Sequence, residues 1–257
     1  MSIHPTAIVH PAAKLGRDVE IGPYSIVGEH VEIADRTWIG PHVVLGGHTR
    51  IGCDNRIYQF CSIGEAPQDK KYSGEPTRLE IGDRNTIREF CTFNRGTAQD
   101  VGVTRLGDDN WIMADVHLAH DCQVGNQTIF ANNTQLAGHV QVGDWAILGG
   151  FTVAHQFVRI GAHSFTAMGT ILLQDLPPFV TAAGSPAEPR SINAEGLKRR
   201  GFDVASVAAV KRAFKTLYKS GMKLDEARAA IGAEAASTPS LALLASFLDG
   251  PGRGIIR

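Results

Sequence analysis

Leu15-Gly-Arg-Asp-Val-Glu-Ile-Gly-Pro-Tyr-Ser-Ile-Val-Gly28 carries an aliphatic residue at every sixth position, Leu15, Ile21 and Val27, each followed by glycine. Outward from it, the same phase takes in Ile3, Val9, Ile33, Ile39, Leu45, Ile51, Ile57 and Ile63. It resumes at Ile81, Ile87 and Phe93. It resumes again at Leu106 and runs through Ile112, Leu118, Val124, Phe130, Leu136, Val142, Leu148, Ala154 and Ile160 to Thr166 and Leu172. A helix needs apolar residues every three to four positions and a half-buried strand needs them every two. A period of six fits a short strand, a turn and another short strand, three such units closing a triangular coil. Stacked coils then lie about 4.8 Å apart, the ordinary strand spacing, and nearly nine of them make a prism about 40 Å long. The aliphatic residue points inward. Glycine is expected to serve the corner, where the backbone needs positive φ.

Two segments break the phase. Within residues 65–78 the six-residue count would put Asp69 and Glu75 inside the coil, where an unpaired charge is costly, so this segment loops out. Within residues 95–104 the count slips by one. Excursions on a rigid solenoid are common binding elements. The proline-rich residues 175–189 lead out of the repeat. Asn193 is placed to cap a short helix that Gly201 ends, and Asp203 a second with Val207, Val210, Phe214 and Leu217 on its buried face. Lys211, Lys215 and Lys219 form a stripe along another face of that helix. Further helices are expected over 224–236 and 239–248. The chain thus reads as a mainly β protein: a parallel β-helix over residues 1–190, with excursions at about 64–80 and 94–105, and an α-helical C-terminal domain over 191–257.

Hydrophobic content of 43% and charged content of 20% in 257 residues fit a globular protein. No apolar run approaches the ~20 residues a bilayer span needs, so no membrane insertion is expected. Met1-Ser-Ile-His-Pro5 has no basic segment followed by an apolar core, so a cytoplasmic protein without a signal peptide is expected. Cys53, Cys61, Cys91 and Cys122 form no C-x-x-C pair, which argues against a zinc ribbon or a thioredoxin-like motif. Charge is uneven. Residues 191–257 carry 11 Lys+Arg and 6 Asp+Glu, a net of +5, leaving −6 for the rest of a chain whose net charge is −1. A basic segment on an acidic body points to an acidic partner, and it is not basic enough for nucleic acid.

The residues that break the composition of the repeat are the candidates for chemistry. Met113-Ala-Asp-Val-His-Leu-Ala-His-Asp-Cys122 sets His117, His120 and Asp121 inside it. Residues about eighteen apart stack on one wall. That places Gly138 over His120, His139 over Asp121 and Gln156 over Gly138, with His155 beside Gln156. Two chemistries are open. His120 can act as a general base whose tautomer Asp121 fixes. Alternatively the histidines bind a metal, zinc first. Polar decoration of solenoid corners is the inert reading.

The six-residue repeat resembles that of the hexapeptide-repeat family, whose fold is a left-handed parallel β-helix. The hand comes from the resemblance and runs against the usual right-handed crossover. A narrower resemblance rests on Ile57-Tyr-Gln-Phe60, Lys71-Tyr-Ser-Gly-Glu-Pro-Thr-Arg78, His117-Leu-Ala-His-Asp-Cys122, Leu136-Ala-Gly-His-Val140, Val153-Ala-His-Gln156, Asn193-Ala-Glu-Gly-Leu-Lys-Arg-Arg-Gly-Phe202 and Arg253-Gly-Ile-Ile-Arg257. By these runs the whole chain resembles the UDP-N-acetylglucosamine O-acyltransferase family of lipid A biosynthesis.

The resemblance implies transfer of an (R)-3-hydroxyacyl group from a thioester on acyl carrier protein to the glucosamine 3-hydroxyl of UDP-N-acetylglucosamine. It implies a homotrimer with sites between neighbours, and no metal or cofactor, because a thioester is already activated. His120 would be the base, Asp121 would orient it, and the Gly138 backbone N–H would hold the oxyanion. Asp69, Lys71, His117, His139, His155 and Gln156 would surround the sugar and pyrophosphate. Asn193, Glu195, Arg199 and Arg200 would lie near the nucleotide. Two departures stand out. Asn94 occupies a position where the family often has histidine. Met168 occupies the position resembling the acyl-chain ruler. Its bulk in place of glycine implies a chain of roughly ten carbons rather than about fourteen. The alternatives are the related N-acyltransferase of the same pathway, a zinc enzyme of the hexapeptide-repeat carbonic anhydrase type, and a non-catalytic repeat scaffold.

Overall fold

Most strands are two residues long, from Ser2–Ile3 to Ile171–Leu172, and each pairs in parallel with the strand one coil on. Ile3 lies beside Ile21 and Ala154 beside Leu172. Strands three apart in sequence become neighbours, which gathers them into three sheets of eleven, nine and eight strands, here A, B and C. The computed structural model describes all residues 1–257. A two-residue strand has no stability of its own. Ladders of inward aliphatic side chains along the axis supply it, in one buried cluster of 39 residues that includes Ile21, Ile39, Ile57, Ile87 and Ile112. A polar ladder runs among them. Asn85 and Asn110 each donate an amide N–H at 3.0 Å to the carbonyl oxygen of the asparagine one coil below, Asn55 and Asn85.

The corners differ from expectation. At most corners the third residue after the aliphatic takes φ between 54° and 70°, and it is usually Asp, Asn, His or an aromatic, with Arg36, Arg84 and Gln127 besides: Asp18, Tyr24, His42, Asp121, Asn133, His139 and Phe157 are examples. Of the glycines directly after the aliphatic, only Gly64, where the first excursion leaves, is at positive φ; Gly22 and the others are not. A Cβ on Gly22 would lie 2.7 Å from the carbonyl carbon of Gly40 in the next coil. These glycines let successive coils approach. The strained corner is stabilised instead by what its side chains do from coil to coil. Tyr24, His42, Phe60 and Phe90 stack along the A/B corner with centroids 5.1 to 5.4 Å apart. Arg36–Asp54 and Arg84–Asp109 pair along the C/A corner at 2.6 and 2.7 Å.

Both excursions leave from the B/C corner. One runs between the strands Ser62–Glu65 and Arg78–Ile81, the other between Thr92–Asn94 and Val103–Leu106. They are tied together. Arg95 donates to the Gly64 carbonyl at 2.6 Å and to the Tyr72 hydroxyl at 3.0 Å, and Asn94 donates to the Ala66 carbonyl at 3.0 Å. After the last coil, Glu188–Ile192 turns back antiparallel on Val180–Ala183. Four helices follow: α1 (Ala194–Arg199), α2 (Val204–Tyr218), α3 (Leu224–Ala235) and α4 (Ala242–Asp249). Asn193 and Asp203 cap α1 and α2 through their side chains. The helices share a second buried cluster with Phe179. No helix is long and apolar enough to cross a membrane.

Candidate active site

The strand His117–Leu118 ends sheet B on the coil that carries His120 and Asp121 at the B/C corner. Asp121 is buried, with φ 60°. Its carboxylate faces three donors: His120 Nδ1 at 3.0 Å, the Thr97 backbone N–H at 3.0 Å and the Thr97 hydroxyl at 2.6 Å. An ionised carboxylate only accepts, so Nδ1 of His120 carries the proton and Nε2 presents a lone pair. Thr97 belongs to the second excursion, which folds back over the corner to reach Asp121.

One coil on, Gly138 faces the imidazole. A Cβ there would stand 2.5 Å from His120 Cε1 and 2.7 Å from Nε2, so the ring fills the space a side chain would need. The Gly138 N–H meets no protein acceptor. Other corners vary at this position: Pro5, Pro11, Pro23 and Pro41 have no N–H to pair there, whereas Arg17, Cys53, Asp83, Asp108 and Asn126 donate theirs to a side chain of the next coil. Particular to Gly138 is the combination of an unpaired N–H, no side chain and a histidine across from it.

His139 is set edge to face against His120, with centroids 5.0 Å apart, and stacks on Phe157 at 4.4 Å. Its Nδ1 lies 2.5 Å from the Asp100 carboxylate, and its Nε2 lies 3.9 Å from that of Asp121. His117 meets the Thr92 hydroxyl through Nδ1 at 2.7 Å. Burial pushes its pKa below the usual histidine value; the Thr92 contact works in the opposite direction. His155 and Gln156 continue the same corner on the next coil, His155 exposed with Nδ1 at 3.1 Å from the Gln156 carbonyl. A cavity of about 400 Å³ opens beside the cluster, lined by Asp100, Asp121, His139, Phe157, Arg159 and Arg253 among others.

The other sequence-predicted residues lie apart. Asn193 and Arg200 sit by the C/A corner. The Asn193 side chain accepts from the Gly196 N–H at 3.1 Å and donates to the His163 carbonyl at 3.0 Å. Arg200 lies 5.0 Å over the Trp145 ring and 3.3 Å from His163 Nδ1. Glu195 pairs with Lys198 at 2.9 Å, and Arg199 is exposed. Met168 projects from the A/B corner with 76% of its surface exposed. In the first excursion Asp69 accepts from the Lys71 backbone N–H at 3.0 Å, and the Lys71 ammonium is unpaired. Asn94 is buried. Thr92, Thr97, Asp100 and Phe157 were not among the residues predicted. Only the slip of phase within 95–104 marked that a loop was there.

His120, Asp121 and His139 offer ligand atoms within 4.8 Å of one another. Two of the three, His120 and Asp121, are joined to one another by a hydrogen bond through Nδ1. The arrangement that stands is a histidine–carboxylate pair with a free Nε2 beside an unpaired backbone N–H, which is suited to taking a proton from a hydroxyl and stabilising an oxyanion.

A three-sided coil of hexads bearing such a pair on one corner defines a transferase of the hexapeptide-repeat class. The sequence profile of the bacterial transferase hexapeptide family matches residues 104–138, and that of Udp N-acetylglucosamine O-acyltransferase, Domain 2, matches residues 175–256. The chain is 64% identical to the acyl-[acyl-carrier-protein]–UDP-N-acetylglucosamine O-acyltransferase of Thiobacillus denitrificans, over 100% of this chain and 99% of the relative. It is 62% identical to that of a Janthinobacterium species over 99% of each. The crystal structure of the UDP-N-acetylglucosamine O-acyltransferase of Moraxella catarrhalis superposes with a TM-score of 0.98 at 43% identity, covering 100% of both chains. LpxA from Acinetobacter baumannii does so at 0.97 and 45%, covering 99% of both. The chain belongs to the UDP-N-acetylglucosamine O-acyltransferase family, and its fold is the left-handed parallel β-helix with a helical C-terminus. Membership decides against the carbonic anhydrase, N-acyltransferase and scaffold readings.

Proposed function

We propose that this chain transfers a 3-hydroxyacyl group from acyl carrier protein to the glucosamine 3-hydroxyl of UDP-N-acetylglucosamine, the first step of lipid A biosynthesis, in the cytoplasm. The observation that carries the reading is the His120–Asp121 pair facing the Gly138 N–H, in a chain similar over its full length to relatives of that name. His120 Nε2 takes the proton of the acceptor hydroxyl as its oxygen attacks the thioester carbonyl. The oxyanion forms against the Gly138 N–H. It collapses with cleavage of the C–S bond, and the leaving thiolate takes the proton back from His120. Asp121 holds the ring and stabilises the transient imidazolium. A positioned base contributes about 10²–10⁴-fold and one oxyanion donor about 10²–10³-fold. His117, His139, His155, Gln156, Asp69 and Lys71 are read as contacts to the sugar and pyrophosphate. Asn193, Glu195, Arg199 and Arg200 are read as contacts to the nucleotide.

The active species in this reading is a homotrimer. Its support is that the expected contact residues lie on three different corners, so one ligand can meet them all only where prisms abut. The B face and A/B corner also expose Ile8, Tyr24, Ile26, Phe60, Phe90 and Phe151, an apolar surface of the kind that marks an interface. Residues 191–257 are read as a helical domain that meets the carrier protein. Lys211 and Lys215 on α2 and Lys219 just past its C-terminus are exposed without carboxylate partners, which suits an acidic surface.

Met168 is read as the acyl-chain ruler, contributed to a neighbour's groove. A panel of 3-hydroxyacyl carrier proteins tests this. The wild type should prefer chains of about ten carbons, and Met168→Gly should move the preference toward about fourteen, at ~1–3 kcal/mol per methylene of the pocket. Equal rates across the panel, or faster transfer of the longer chain by the wild type, would remove the assignment.

A further inference from the structure

The second excursion folds back onto the catalytic corner at two of its residues, Thr97 and Asp100. Thr97 closes on Asp121 from one side, with its backbone N–H and its hydroxyl both directed at the carboxylate. Three residues later Asp100 reaches His139, with Oδ2 2.5 Å from Nδ1. The excursion is thus latched to both imidazoles of the cluster, to His120 through Asp121 and to His139 directly.

His139 needs such a latch. It sits at φ 63° on a convex corner, where its ring has Phe157 on one side and the edge of His120 on the other but nothing in the coil to fix its rotation. Stacking sets the plane of a ring and leaves open which nitrogen points where. A carboxylate at Nδ1 decides that. It is an acceptor, so Nδ1 carries the proton and Nε2 is turned toward Asp121 and the reacting corner. Charge-assisted contacts of this length are about twice as strong as neutral ones. The charged groups facing this pair are Asp121 and His120 from the corner, with Arg159 and Arg253 across the shared cavity.

We propose that Asp100 is a positioning residue for the transfer reaction. It acts through His139, holding the ring with Nε2 presented to the phosphorylated sugar acceptor. This rests on the reading of the site as an acyltransferase centre with His139 at the acceptor. The excursion over 95–104 is then a working part of the site and not a tolerated insertion. Its backbone and Thr97 fix the base, and its tip fixes the acceptor contact.

The test is a double-mutant cycle on the full-length protein with Asp100→Ala, His139→Ala and the pair, with Asp100→Glu as the conservative variant. Kinetics are measured with UDP-N-acetylglucosamine varied at saturating acyl carrier protein, and the reverse. Asp100→Ala is expected to lower kcat/KM for the nucleotide sugar by 10-fold or more, with the KM for the acyl carrier protein moved less than twofold. In the His139→Ala background the same change is expected to cost less than twofold, and Asp100→Glu to recover part of the loss. An equal loss in both backgrounds, or activity of Asp100→Ala within twofold of wild type, overturns the proposal. ¹⁵N-histidine NMR supplies a readout independent of transfer. A hydrogen-bonded Nδ1–H signal of His139 is expected in the wild type and not in Asp100→Ala, and its persistence in the variant also overturns the proposal. If the wild type transfers no acyl group to this acceptor, the functional reading fails, and the NMR result then decides the Asp100–His139 contact by itself.

Discussion

In the proposed mechanism Gly138 leaves just enough room for the base at His120. A methyl group there would fall 2.5 Å from the His120 ring, and the ring is the part free to move. Gly138→Ala is therefore expected to leave the fold intact and to swing His120 off its bond to Asp121, lowering kcat by ~10²-fold, the scale of a misplaced reacting group. Circular dichroism and steady-state kinetics read the two effects separately. His163, buried at the C/A corner, gives a prediction in pH. Burial first, and the Arg200 guanidinium second, push its pKa down to about 4. Below about pH 6.5 the unfolded chain binds a proton that the folded chain refuses until about pH 4. This contribution is complete above about 6.5 and is lost as pH falls through that window, about 3 kcal/mol in all. His163→Gln should flatten the decline in melting temperature between pH 7 and pH 4.5, and an unchanged decline would show that other groups carry it. His120, Asp121, Gly138, His139, His155 and Gln156 were legible in sequence because the eighteen-residue coil converts spacing into neighbourhood. Thr97 and Asp100 were not, because inside an excursion no period says which residue returns to the corner.

At the scale of the element, the hexad dictated the coil, and the roles of its small residues were misread. The glycine that often follows the aliphatic was assigned to positive φ, whereas apart from Gly64 it is aspartate, histidine, phenylalanine and their like three residues on that take that conformation, and glycine gives room to the neighbouring coil. Intrinsic preference disfavours bulky residues in the left-handed region by about 1–2 kcal/mol each. Stacking and pairing along the corner outweigh it, and those contacts exist only once coils are stacked. Gly22→Ala separates the two accounts. Its Cβ would press on the backbone of Gly40, which cannot turn aside as a ring does. The substitution is expected to cost about 1–3 kcal/mol in denaturant unfolding. A neutral result would return these glycines to the conformational role.

At the scale of the whole molecule, the prism places its candidate contacts on three corners and an apolar, aromatic-lined surface between two of them. Sedimentation should find a species of three 27.6 kDa chains. Phe60→Asp with Phe90→Asp, in the stacked A/B column, should yield monomers that keep the far-UV spectrum and lose transfer activity. Active monomers would dismiss the shared site. The central claim is that His120, held by Asp121, is the base of an acyl transfer to UDP-N-acetylglucosamine. The most direct measurement is product formation from 3-hydroxyacyl carrier protein and UDP-N-acetylglucosamine by the wild type and His120→Ala side by side, each with and without chelator. The account predicts chelator-insensitive product from the wild type and a rate lower by ~10²–10⁴-fold in the variant. Transfer by His120→Ala at the wild-type rate, or loss of wild-type product on chelation, would contradict it.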